Sequence, residues 1–168
     1  MTSEESLRVR GYLTAQGAKL SPEQIIGKVQ EAMAQLRQAA AAVPPARFTE
    51  PPAAGEWSAN EVMAHVVEAG RHFGDAIVRI LDGQAPGAPR DAAARDTRPR
   101  PLEEWWALLE LDRTALFQRV RSAPPMARLE ATIPHPFFGA LNWRETLLFM
   151  RLHDLDHAGQ LTQVAGAL

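Results

Sequence analysis

The sequence contains no cysteine among its 168 residues. Disulfide bonds, thiolate metal sites and a cysteine nucleophile are therefore excluded, and any bound metal ion must be held by His, Asp or Glu side chains. Excess basic charge is also missing, because 18 Lys and Arg residues stand against 20 Asp and Glu residues, a formal net charge of −2. Since nucleic-acid-binding domains present a basic surface, we expect no nucleic-acid partner.

Long apolar runs are missing as well. No stretch approaches the roughly 20 apolar residues of a membrane-spanning helix, so we expect no membrane partner. The segment MTSEESLRVR at the start is polar and acidic, where a secretory signal would be basic and then apolar. We therefore expect a cytoplasmic protein. With 46% hydrophobic residues the chain can bury one core, which predicts a single domain over residues 1–168.

Strand patterns are rare, because no long run alternates β-branched with polar residues. Apolar residues instead recur at helical spacing in four segments, which predicts an all-α four-helix bundle preceded by an N-terminal arm over residues 1–20. The four predicted helices run from 22 to before 44, from 59 to about 83, from about 102 to 122, and from 143 to about 166. Their starts are marked by Ser21-Pro22 and by capping-box pairs at Ser58 with Glu61 and at Asn142 with Glu145.

Residues 83–101, GQAPGAPRDAAARDTRPRP, have the composition of a linker, rich in Gly, Pro and Arg. Connections between adjacent antiparallel helices are usually shorter than this. A link of this length could cross the bundle, so that the helices on either side of it run parallel. A second irregular segment, IPHPFFGAL, precedes the last predicted helix.

His153 and His157 lie four residues apart within FMRLHDLDHAGQ, on what is otherwise an apolar helix face. Residues at this spacing project from one face about 6 Å apart. His65 lies on the inward stripe of the second predicted helix. Three buried imidazoles without partners would be destabilising, and one divalent cation would resolve this by binding a nitrogen of each ring. The alternative for each histidine is a hydrogen-bonded core residue.

The order of these features resembles the DinB/YfiT-like family of small four-helix-bundle proteins. The resemblance rests on Trp57-Ser58 at a helix start, His65 seven residues later, and HPFFGALNWRE leading into LLFMRLHDLDHAGQL. It spans residues 21–167 and implies a divalent metal held by His65, His153 and His157. It also implies an unusual order of helix connections and a homodimer. Some members are similar to S-transferases that use bacillithiol or mycothiol, or to a mycothiol-dependent maleylpyruvate isomerase.

These features together indicate a metal-dependent enzyme acting on a small molecule, either a hydrolase or a transferase that uses a low-molecular-weight thiol. Zn or Ni is the expected ion, and imidazole ligands also suit Fe, Co and Cu. Glu68, one turn beyond His65, is the candidate catalytic base, with a solvated glutamate as the alternative. A non-catalytic metal- or small-molecule-binding stress-response protein is the second interpretation. Bis-histidine haem ligation is a third, which the third inward histidine disfavours.

Several other polar residues have two interpretations. His72 either lines the pocket or lies at the core boundary, and His135 either caps the mouth of the site or turns the chain. Gln160 either bonds substrate or a histidine ring, or pairs across the bundle. Asp154 and Asp156 are expected to be surface charges that at most form an outer hydrogen bond to a ring. Four arginines could recognise an anionic thiol but are expected on solvated faces: Arg71, Arg79, Arg113 and Arg144. The tryptophans are expected to seal the bundle ends: Trp57, Trp105, Trp106 and Trp143.

Overall fold

The structure, a computed structural model, describes residues 1–91, 93 and 95–168. Its described part is an all-α bundle with one small hairpin, which confirms the predicted fold class. The helices are α1 (Ser3–Lys19), α2 (Pro22–Ala41), α3 (Ala59–Leu81), α4 (Leu102–Arg121) and α5 (Trp143–Ala167), and the strands are β1 (Ile133–His135) and β2 (Gly139–Leu141). No described helix is long and apolar enough to cross a bilayer.

The segment predicted as an N-terminal arm is helix α1. Thr2 and Glu5 form a capping box, in which each side chain accepts a hydrogen bond from the other residue's backbone N–H. The helix contacts α5 at Gly17, where a Cβ atom would lie 3.1 Å from Glu145 Cγ. Only Leu13 and Gly17 of α1 are buried. With so few buried positions, the apolar periodicity was too weak to predict this helix.

The segment IPHPFFGAL, predicted as irregular, contains the antiparallel hairpin of β1 and β2, in which Ile133 pairs with Leu141. Gly139 has a φ of +71°, a left-handed conformation that glycine adopts readily. Each strand has three residues. Strands this short do not produce the alternating pattern by which a strand is recognised in a sequence.

Helices α3 and α4 run parallel, as the length of the linker suggested. Near their starts, Trp105 Nε1 donates to Asn60 Oδ1 at 2.8 Å. Near their ends, Arg119 Nε donates to Asp82 Oδ1 at 2.9 Å. The linker over residues 83–101 therefore returns along the whole bundle, although positions 92 and 94 of it lie outside the described residues.

Helix α5 runs antiparallel to α3. The rings of Phe73 and Phe149 lie 5.2 Å apart, while His65, earlier in α3, lies 4.6 Å from His157, later in α5. Helices α2 and α5 run parallel. Their starts lie together, since the guanidinium of Arg144 donates to the carbonyl of Leu20 just before α2. The four central helices thus have an up-down-down-up order.

Candidate metal centre

Three histidine rings converge where α3 packs against α5. His65 Nε2 lies 3.0 Å from His153 Nε2, and His157 Nε2 lies 3.2 Å from the same atom. Each ring offers one nitrogen, and all three nitrogens lie within 4.8 Å of one another. Because a neutral ring nitrogen carries either one hydrogen or one lone pair, His153 Nε2 forms a normal hydrogen bond with only one of its two neighbours. Hydrogen bonding within the cluster therefore does not pair every nitrogen.

Burial keeps the rings of His65 and His153 uncharged. Desolvation, assisted by His157, Arg90 and Arg95, lowers the pKa of His65 to about 3. Desolvation, assisted chiefly by the neighbouring histidines, holds the pKa of His153 well below its usual 6.5. Neutral imidazole is the form that binds metal ions. His65 and His153 therefore meet this charge requirement at neutral pH.

Gln160 orients the ring of His157. The two side chains are joined by a hydrogen bond of 2.8 Å between His157 Nδ1 and Gln160 Oε1. The amide oxygen only accepts, so Nδ1 carries the proton and Nε2 carries the lone pair. This is the arrangement of metal-binding histidines, whose second nitrogen donates to a neighbouring oxygen. Gln160 therefore bonds a histidine ring, which is one of the interpretations given above, and this partner lies on its own helix.

His65 has a different partner at Nδ1, because Arg90 Nη2 lies 2.9 Å away. A guanidinium only donates, so Nδ1 carries the lone pair and the neutral ring carries its proton on Nε2. In this arrangement Nε2 of His65 has no lone pair for a metal ion. The ring fits a metal centre once Arg90 leaves and Nδ1 donates to an acceptor.

Glu68, the predicted base, is held by the same arginine. Arg90 makes three contacts of 2.6 to 3.0 Å with the Glu68 carboxylate. Both side chains are largely buried, with 25% and 22% exposed. Arg90 thus bridges the Glu68 carboxylate and the His65 ring. Sequence reasoning missed Arg90, because nothing distinguishes it from the other arginines of the linker.

A buried ion pair lies behind the cluster. Arg113 of α4 donates through both terminal nitrogens to both oxygens of Asp154, at 2.8 and 2.9 Å. The side chains are 2% and 0% exposed, so their prediction as surface charges is wrong. Gly70 of α3 faces the guanidinium, and a Cβ atom there would lie at an ordinary contact distance of 3.5 Å from Arg113 Nη2. Asp156 is exposed, as predicted.

Arg144 is also buried, against prediction, and donates to the carbonyls of Leu20 and Pro125 between helix ends. Arg71 and Arg79 are exposed as predicted. None of these arginines contacts a histidine of the cluster among the described hydrogen bonds and ion pairs.

A polar cavity of about 620 Å³ opens beside His157. His157 and Gln160 line it directly, together with Trp57. The ring of Trp57 also lies 5.2 Å from that of His65. This tryptophan therefore belongs to the site as well as to the start of α3, a role that its position in the sequence did not indicate. The cavity therefore reaches the cluster at His157.

An apolar cavity of about 390 Å³ lies on the other side, between α3, the linker and the hairpin. His72, Arg90 and His135 are its polar lining residues. It reaches the cluster through Arg90, which contacts His65. His72 and His135 thus line this apolar cavity, and neither lines the polar cavity beside His157. His135 also accepts hydrogen bonds from the backbone of its own loop, as a residue that turns the chain would.

The fold and the cluster define a class, that of small helical bundles with a candidate three-histidine metal centre. The sequence model of the DinB superfamily matches residues 16–161, so the chain belongs to the DinB superfamily. The matched region includes His65, His153 and His157. The chain is also similar to TT2238, a four-helix bundle protein of known crystal structure, with 25% identity and a TM-score of 0.66 over 85% of this chain and 99% of that one. The search of curated proteins gives no match.

Proposed function

We propose that His65, His153 and His157 bind one divalent transition-metal ion through their Nε2 atoms, and that the protein is a metal-dependent enzyme. The observation that carries this proposal is the convergence of three imidazoles from two helices, with Nε2 separations of 3.0 and 3.2 Å. Three protein ligands leave a coordination position for water or substrate. Zn or Ni is the proposed ion, and the all-nitrogen donor set also suits Fe, Co and Cu.

The proposed reaction is hydrolysis or transfer of a low-molecular-weight thiol. When bound, such an ion lowers the pKa of a coordinated water or thiol, or polarises a carbonyl group. The polar cavity beside His157 is where we place the thiol, because His157 and Gln160 line it directly. Gln160 keeps the His157 ring in the orientation that points its lone pair at the cluster.

Glu68 is the proposed base, and Arg90 is the residue that controls it. Arg90 occupies both the Glu68 carboxylate and the Nδ1 atom of His65. Its departure leaves the carboxylate free to accept either the Nδ1 proton of His65 or a proton from the nucleophile. Arg90 thereby couples the availability of the base to the state of a metal ligand.

The test compares Glu68→Gln with wild type for metal content and for conjugation of bacillithiol or mycothiol to an aromatic electrophile. We expect metal content to be retained and turnover to fall by about 100-fold or more, the usual effect of removing a catalytic base. Glu110→Gln, at an exposed position, is the matched control and should match wild type. Unchanged turnover in Glu68→Gln would remove this residue from the mechanism.

A non-catalytic metal-binding protein is the second candidate. The observation that favours it is the pairing of Glu68 with Arg90, which leaves that carboxylate engaged in an ion pair. Such a protein would retain metal and show no turnover in hydrolysis or thiol-transfer assays, in wild type or in Arg90→Gln. Turnover that appears or rises in Arg90→Gln supports the enzyme instead.

A further inference from the structure

His135 is held rigidly in the wall of the apolar cavity. Its ring stacks on Phe73 at 5.5 Å and 21°, and on Phe138 at 4.6 Å and 16°. Phe149 approaches edge-on at 4.3 Å. The residue is 7% exposed. Aromatic contacts therefore cover the ring and leave little freedom to rotate.

Hydrogen bonds fix the tautomer of His135. The backbone N–H groups of Phe137 and Phe138 donate to its Nδ1 atom at 3.1 and 3.3 Å. Backbone amides only donate, so Nδ1 carries the lone pair and the neutral ring carries its proton on Nε2. Burial lowers the pKa of His135 to about 4, so the ring is neutral at neutral pH. No described residue accepts a hydrogen bond from Nε2–H.

The cavity that His135 lines is apolar and carries no uncompensated charge. Phe73, Ala76, Pro89 and Ile133 form much of its wall. The charge of Arg90, which also lines it, is compensated by Glu68 at 2.6 Å. Among the described residues, the side-chain atoms that are fully buried without a partner do not include His135 Nε2, so this donor remains accessible to a ligand. The cavity is therefore complementary to an apolar molecule that supplies one acceptor.

We propose that the apolar cavity binds an uncharged, largely apolar ligand with one hydrogen-bond acceptor, such as an aromatic ketone, and that His135 Nε2–H donates to that acceptor. Because Arg90 lines the cavity and contacts His65, the bound ligand lies beside the histidine cluster. The view that this ligand is the substrate of an enzyme rests on the proposed function. The binding itself requires no metal ion.

The first test is imidazole ¹H–¹⁵N NMR of the full-length protein, as purified and after treatment with chelator. The probes are 2-acetylnaphthalene and 2-isopropylnaphthalene, which have similar shapes but of which only the ketone has an acceptor. We expect His135 as the Nε2–H tautomer, with an Nε2 resonance that moves further on adding the ketone, which accepts its proton, than on adding the hydrocarbon. An Nδ1–H tautomer, or an Nε2 resonance that moves no further with the ketone than with the hydrocarbon, overturns the proposal.

The second test uses His135→Phe, which keeps an aromatic ring and removes the donor. The affinity preference for the ketone over the hydrocarbon should fall by about fivefold, the effect of one neutral hydrogen bond. Tyr12→Phe, which also keeps an aromatic ring and removes a polar group but lies outside the cavity, is the control and should keep the wild-type preference. A folded His135→Phe that keeps the preference, or a loss in Tyr12→Phe, contradicts the proposal. When these affinities are measured on chelator-treated protein, as in the first test, a failure to bind metal leaves the outcome unaffected.

Discussion

The Nε2 atoms of His65 and His153 lie 3.0 Å apart, although 88 positions separate the two residues in the chain. One residue belongs to α3 and the other to α5, so the short distance depends on how these helices pack. An ion bound by both would link the two helices. Because such an ion binds only the folded chain, it would also stabilise the fold.

Replacing Gln160 by Leu should weaken metal binding by about 10-fold, a common effect of losing the oxygen that orients a ligand histidine. The change removes the acceptor for His157 Nδ1–H and leaves the ring in place. Competition with a chromophoric chelator measures the affinity. Gln163→Leu, in the same polar cavity, should bind metal as wild type does. Equal affinities for the two variants would show that Gln160 does not orient the ligand.

Replacing Arg90 by Gln should strengthen metal binding by about 10-fold, because the substitution removes the donor that holds the lone pair of His65 on Nδ1. Glu68 then becomes available as an acceptor for Nδ1–H. The same chelator competition measures the change. Arg98→Gln serves as the control, since Arg98 is an exposed linker arginine paired with Asp96. Weaker binding in Arg90→Gln would mean that Arg90 supports the centre and does not oppose it.

Replacing Asp154 by Ala should lower the free energy of unfolding by about 3–5 kcal/mol, because Arg113 would remain buried without its partner. Urea denaturation at neutral pH measures this. The neighbouring exposed carboxylate gives the control, and Asp156→Ala should change stability by no more than about 0.5 kcal/mol. Similar small losses in both variants would contradict the burial of the Arg113–Asp154 pair.

Stability should fall as the pH is lowered from 6.5 towards 4, in part because of His135. Burial lowers the pKa of His135 from 6.5 to about 4 in the folded protein. Within this range the unfolded ring binds a proton that the folded ring does not, so acid favours unfolding. Urea unfolding at pH 7.5 and 4.5 should show a smaller acid loss in His135→Phe than in wild type. Buried His65 and His153 contribute in the same direction in both proteins, so an equal loss would exclude a contribution from His135.

The main helices and the histidine cluster could be predicted from local patterns. The capping boxes at Ser58 and Asn142 mark where α3 and α5 begin. The spacing of His153 and His157 places both on one face of α5, and the inward stripe of α3 carries His65. Each of these signals depends on residues within a few turns of one helix, which is why the sequence was sufficient.

The partners of the cluster could not be predicted, because they depend on contacts distant in the chain. The bond between Arg113 and Asp154 joins residues 41 positions apart. The identity of a charged residue does not show whether an oppositely charged partner lies next to it in the core. Arg90 approaches Glu68 and His65 from an irregular linker that has no periodicity to interpret. Helix α1 was missed for another reason, since its one buried apolar residue, Leu13, gives no repeating pattern.

The most direct measurement is elemental analysis of the purified, untagged protein beside a His153→Ala/His157→Ala double variant, with thermal melts of both with and without chelator. His72→Ala, outside the cluster, is the control. We predict about one equivalent of a transition metal in wild type and in the control, and none in the double variant. Chelator should lower the melting temperature of the two metal-binding proteins only. Metal-free wild type after reconstitution, with melting unaffected by chelator, would make the histidines core residues and contradict the account.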